Sequence, residues 1–153
     1  MIHSIIGKFL HDSDAIRNRV SGPDGARIWP EHAPQVTKKK TGEHIVISDL
    51  GGDTLNTLEN ESEAANSVVQ VACYSDSTTK AWSLWQLVRN RLSGYYGDVT
   101  YLEDGEEATT WISATVIRKA MDVTDPDDSS DTWKYGYSAD FNVFYHQTVP
   151  DHT

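Results

Sequence analysis

The sequence holds a single cysteine, Cys73. No apolar run approaches the ~20 residues that a bilayer-crossing helix requires. One cysteine excludes an intrachain disulfide and fits a reducing compartment. The opening residues, MIHSIIGKFLHDSD, lack the basic start and unbroken apolar stretch of a secretory leader. The chain is therefore expected to stay in the cytoplasm where it is made. Basic side chains are also scarce, with 13 Lys and Arg against 23 Asp and Glu, a formal charge of −10. Binding DNA or RNA through phosphates, or docking on an anionic bilayer, needs clustered Lys and Arg. Nucleic acid and membrane are thus excluded as specific partners.

Catalytic signatures are missing as well. The sequence contains no GxSxG, P-loop, GxGxxG or HExxH. His3, His11, His32, His44, His146 and His152 are scattered, with no pair at metal-ligand spacing near a carboxylate. Residues 125–131, DPDDSSD, have the acid density of a calcium loop but serine at the sixth position, and the twelfth is Gly136 rather than a bidentate Glu. They read as a solvated hairpin tip. Glu106 and Glu107 are adjacent carboxylates with no neighbour that suggests a raised pKa or a pocket. Cys73 falls in an apolar strand, where it serves as a small core hydrophobe rather than a nucleophile. No catalytic, cofactor-binding or metal-binding residue is assigned, and no cofactor is expected.

What is present is globular. A chain of 153 residues that is 38% hydrophobic and 10% aromatic is long enough to bury a proper core as one domain. Ile2, Ile5, Ile6, Phe9 and Leu10 recur at helical spacing, and Ser13 is placed to cap a second short helix carrying Ile16 and Val20. SGPDG is a turn cluster. Residues 43–49 and 66–74 read as strands, the second apolar on both faces. Such a strand belongs mid-sheet, covered on both sides, or at a subunit contact. From about Ser77 to Leu92, Ala81, Leu84, Trp85, Val88 and Leu92 form a helical stripe, with Gly94 as the stop. Trp82 lies about 100° off that stripe at one residue's turn, which makes it a candidate contact residue.

The last third reads as β: residues 97–102, a turn at Asp104-Gly105, then long strands over 109–123 and 132–146. The last shows strict alternation, with Tyr137, Ala139, Phe141, Val143 and Tyr145 on one face and Phe144 as an exception on the other. The apolar parity switches near Arg118-Lys119, which predicts a bulge or a change of environment there. The element order is α, β, β, α, β, β, β. It predicts an α+β fold with a mainly antiparallel sheet of four to five strands and two principal helices on one face. The chain 1–153 reads as one domain, with long loops at 30–42, 51–65 and 124–131.

Charge is uneven along the chain. Residues 1–50 carry seven basic and six acidic side chains, and residues 51–153 carry six and seventeen. The concentrated basic feature is Lys38-Lys39-Lys40, a candidate interface that would meet an acidic neighbour and steer association more than it strengthens it.

Residues 26–30, ARIWP, resemble the R-I-aromatic-P signature of small phage tail-completion, tail-terminator or head–tail joining proteins. HIVIS, VVQVACYSDSTTKAW and FNVFYHQ follow in the same order as that family's strand, strand–turn–helix step and closing aromatic strand. The resemblance spans about residues 2–147. It departs at Gly42-Glu43, where the family often has a proline.

The resemblance implies a non-enzymatic protein of long-tailed phages or prophages. Such proteins form a ring, typically a homo-hexamer, on the head-proximal end of the tail tube. The implied partners are copies of itself, the major tail tube protein and a head or neck connector. Assembly would occur in the host cytoplasm, and the final location would be the virion. DNA would pass through an acidic lumen without specific binding. In that picture Ile28 and Trp29 anchor the corner in the core while Pro30 and Pro34 stiffen its exit. Two other readings stay open: a neck or head-completion component, and a monomeric ligand-binding or enzymatic α+β domain, whose spatially assembled site leaves no local motif.

Overall fold

Apolar residues three and four apart share one side of a helix, and α1 (Ile2–His11) buries all five of its stripe residues. The structure, a computed structural model, describes residues 2–22, 25–30, 43–52, 54–56, 61–118, 121–125 and 134–146. Helix α2 (Asp14–Val20) starts at Ser13, whose hydroxyl accepts from the Ile16 amide at 3.5 Å, and it buries Ile16 and Val20. A two-residue ribbon, β1 (Ser21–Gly22) with β2 (Gly25–Ala26), turns the chain into β3 (Ile28–Pro30). The strands β4 (His44–Asp49), β5 (Thr54–Asn56) and β6 (Glu61–Ser75) lead to helix α3 (Thr78–Leu92). After it come β7 (Tyr96–Glu103), β8 (Glu106–Val116), β9 (Met121–Asp125) and β10 (Lys134–His146).

Among the described residues one eight-stranded sheet runs β3-β4-β6-β10-β8-β7, with β5 on β6 and β9 on β10. All its pairings are antiparallel except β3 with β4. One face carries Ile45, Ile47, Val69, Val71, Cys73, Ala139, Phe141, Val143, Ile112 and Ala114, all buried. Helices α1 and α3 pack on that face. Helix α3 lies over β6 and β10, while α1 touches β3 and β7, the two edge strands, so the sheet curls around it. This is the expected α+β arrangement.

The sheet has more strands than the four to five expected, for two reasons. A long strand is broken by extra residues, and short polar strands leave no alternation to read. Between Val116, opposite Phe141, and Met121, opposite Ser138, the chain advances five residues while β10 advances three. The two extra residues divide one strand into β8 and β9, but an even number leaves the alternation in step, with Val116 opposite Phe141 and Asp122 opposite Tyr137. The switch foreseen near Arg118-Lys119 is therefore the change of environment, and residues 119 and 120 lie outside the described residues. The polar stretch 51–65, expected as a loop, contains β5 and the first residues of β6, which pair as Thr54↔Ala65 and Asn56↔Glu61. The corner at 28–30 is itself an edge strand, parallel to β4. Most of the loop expected at 30–42 lies outside the described residues. Of the loop expected at 124–131, Thr124 and Asp125 are strand and pair with β10, and residues 126–131 lie outside the described residues.

Two turns depend on backbone conformation. The β7–β8 hairpin closes through Asp104 (φ 51°) and Gly105 (φ 82°), the left-handed pair that matches the twist of a tight hairpin. At the bend between β4 and β5, Leu50 donates to the Val68 carbonyl and Val68 donates to that of Gly51, both at 2.8 Å. The backbones come so close that a Cβ on Gly52 would lie 1.9 Å from the Asn66 carbonyl oxygen. Gly52→Ala is therefore expected to cost about 1–3 kcal/mol, as overpacking against rigid backbone does. Urea denaturation checks this; at Gly51 nothing lies within 4 Å of a Cβ, and Gly51→Ala would cost through its left-handed backbone (φ 89°) instead.

Candidate functional site

Three surfaces carry side chains that local structure does not use up. The first is the side of the sheet opposite the helices, where every second residue of each strand points. Trp29, His44 and Tyr74 form a row of rings across β3, β4 and β6, with centroids 5.4 Å and 5.0 Å apart. His44 is buried between the other two. Further along, Trp111 meets His146 edge-on at 4.9 Å and Tyr96 at 6.0 Å. Between these clusters the face is mixed: Val68 and Phe144 are half-buried there, Asn66 donates to Asn142 at 3.1 Å, and the buried Asp140 pairs with Arg118 at 3.5 Å. Trp29 thus lies half-buried on this open face rather than in the core, where the corner reading had put it, because Ile28 takes the inward position. The strand that is apolar on both faces, β6, sits mid-sheet as expected. Helices cover one of its faces, and Val68 and Tyr74 on the other are half-buried.

The ARIWP stretch is held by its arginine. The Arg27 Nε donates to the Glu43 carbonyl at 2.8 Å, the Arg27 amide donates to Val20, and the Arg27 carbonyl accepts from Ile45. Beside it, Arg19 forks onto the Glu43 carboxylate through Nε and Nη2, both at 2.6 Å, and reaches the Lys80 carbonyl and Ser83 hydroxyl at 3.1 Å. The hydrogen bonds to Glu43 push the Arg19 pKa up against partial burial, which works the other way. This joint ties α2, the start of β4 and α3 together. An open depression of about 280 Å³ between α1 and β3 is lined by His3, Lys8, His11, Ile28, Trp29 and Pro30 among others.

The second surface is the outer side of α3. Trp82 is 43% exposed and touches the Tyr137 ring edge-on at 4.9 Å. It flanks the buried stripe, as its helical angle predicts. Lys38, Lys39 and Lys40, the other candidate interface residues, lie outside the described residues.

The third surface, the outer face of the β7–β8 hairpin, had not been singled out. Tyr96 is 75% exposed and Leu102 63%, with Asp98, Glu107 and the half-buried Trp111 alongside. Parity was the available signal. Val99 and Tyr101 point inward, so Tyr96, Asp98, Thr100 and Leu102 must point out. Burial raises the pKa of Tyr101, and the Glu103 carboxylate adds to that.

Cys73 is fully buried under the helices. Burial pushes its thiol far above the ordinary range, and the Glu43 carboxylate acts in the same direction. The thiol stays neutral in the folded chain and ionises near pH ~8.5 when unfolded. The resulting stabilisation is complete below that pH and declines as pH rises above it. Alkylation at alkaline pH is accordingly expected to be at least ~1000-fold slower in the native protein than in urea, in line with typical unfolding constants. Among the described residues no group of three or more His, Cys, Asp or Glu is placed to hold a metal ion, and no helix is long and apolar enough to cross a membrane.

No protein-family profile matches the sequence, and no curated protein matches it. Among solved structures, a chain from a structure described as the virion of a native gene transfer agent (GTA) particle is similar, with a TM-score of 0.62. The match covers 95% of each chain at 10% identity. At that identity the two share a fold.

Proposed function

We propose that this chain is a structural component of a phage-like virion, forming a ring on the head-proximal end of a tail tube that stops tube growth and joins tail to head. The observation that carries this reading is the end-to-end likeness to a chain of a virion particle. A match over 95% of both chains makes the whole chain, rather than one module, the shared unit. The ordered resemblance of ARIWP, VVQVACYSDSTTKAW and FNVFYHQ to tail-terminator proteins points the same way within the virion. A ring needs a contact between two different surfaces of the same chain, closing on itself. Its partners are the tube protein on one side and a head or neck connector on the other, met during assembly in the host cytoplasm. The strong negative charge suits a passage through which DNA moves without being held.

Deleting the gene tests the reading. The expected result is tails of abnormal length, or tubes that never join heads, seen by negative-stain microscopy. Normal tails beside heads that leak DNA would move the chain to the neck. Intact, infectious particles would refute a structural role in the virion.

A further inference from the structure

The chain carries two unused surfaces of opposite character on opposite sides of its sheet. From Tyr96 to Val116 there are five acidic residues (Asp98, Glu103, Asp104, Glu106 and Glu107) and no basic one, and register places Asp98 and Glu107 on the outer face. Helix α3 has the reverse: Lys80, Arg89 and Arg91 with no acidic residue. Arg91 is occupied, donating to the Phe9 carbonyl at 3.1 Å with its guanidinium 4.1 Å from the Phe9 ring centre. Lys80 has Asp76 at 3.9 Å. Arg89 is exposed and makes no ion pair among the described residues. It lies seven residues beyond Trp82, nearly two full turns, so both share one outward stripe. On the hairpin, register sets Leu102 opposite Glu107 and Asp98 opposite Trp111, so apolar and acidic side chains alternate on one open face.

We infer that the outer face of the β7–β8 hairpin docks on the Trp82–Arg89 stripe of α3 in a second copy of this chain, and that this is the seam of the ring. The inference rests on the ring reading above. The two surfaces cannot meet within one molecule, because α3 packs on the side of the sheet that the hairpin's outer face points away from. Each copy therefore presents one half to each neighbour, the head-to-tail arrangement that closes into a ring. Tyr96, Leu102 and Trp82 supply apolar and aromatic area for the centre of the contact. Asp98, Glu107 and Arg89 set its direction and suppress pairing of like surfaces.

The test uses two full-length variants. Trp82→Gln with Arg89→Glu disables the helix side, and Leu102→Thr with Glu107→Gln disables the hairpin side. Each is expected to weaken self-association at least about tenfold. Mixed in equal amounts, they should form heterodimers and nothing larger by native mass spectrometry, since only one intact seam is left to them. That heterodimer should weaken as salt rises. Arg89→Ala and Leu102→Ala, with folding followed by circular dichroism, repeat the complementation if a double variant fails to fold. A mixture that stays monomeric where wild type associates overturns the proposal. Rings that persist in both variants overturn this seam and leave the ring reading standing. A wild-type chain that never self-associates, even on tail tubes, removes both.

Discussion

Phe141→Ala is expected to lower the stability of the fold by about 3–5 kcal/mol, the range for removing a fully buried aromatic side chain. Phe141 is 0% exposed in the middle of β10, between Val69 and Val116 in register, with its ring centre 5.9 Å from that of Trp85 on α3. Its side chain thus fills the place where the helix layer meets the central strands. A cavity there has walls from three elements and little freedom to collapse. A domain of this size is typically stable by about 5–15 kcal/mol, so the variant would be near its unfolding midpoint in mild urea. Phe144→Ala is the control. Phe144 is half-buried on the open face, and its loss should cost roughly 1 kcal/mol. Urea titrations followed by tryptophan fluorescence separate the two, and equal costs would mean that the buried face of β10 is misassigned.

That contrast was legible before any coordinates, because a side-chain period of two, sustained over a long strand, assigns faces by parity alone. The same holds for α1 and α3, where the stripe residues are the ones buried. Short strands were not legible. TLN at 54–56 and ESEA at 61–64 show no alternation, and they are strands because the antiparallel partner across the bend supplies their hydrogen bonds. Tertiary pairing overrides local propensity in such places. The assembly surfaces were half legible. Trp82 announced itself by its angle off the α3 stripe. The outward face of the β7–β8 hairpin follows from parity once Val99 and Tyr101 are known to be inside, but a short strand beside a turn gives no reason to ask. The clamp between Arg19 and Glu43 spans 24 residues of sequence, and nothing local to either residue marks it.

Arg19→Ala is expected to destabilise the chain by about 2–3 kcal/mol, somewhat below the range for breaking a buried ion pair because Arg19 keeps partial contact with water. The loss leaves the Glu43 carboxylate, 11% exposed, without its two charge-assisted hydrogen bonds, and it frees α2 from the first turns of α3. Arg19→Lys keeps the charge but not the planar fork, so it should recover less than half. Replacing both partners, as in Arg19→Met with Glu43→Leu, should cost less than either single change, since no buried charge is then stranded. The denaturation midpoints of wild type, the two singles and the double make a thermodynamic cycle, and a double that equals the sum of the singles would mean that the pair contributes nothing. The raised Arg19 pKa sets the sign of the pH dependence. With the Glu43 carboxylate ionised, its contribution persists through neutral and mildly alkaline pH and is lost only in strong alkali, so the Arg19→Ala deficit should not shrink as pH rises through neutrality. The clamp also bears on assembly. Lys80 and Ser83, which Arg19 holds, flank Trp82 on both sides. A chain that works by presenting a fixed shape to its neighbours needs that turn rigid. Arg19→Ala should therefore reduce self-association even where the fold survives, and Arg19→Lys should reduce it less.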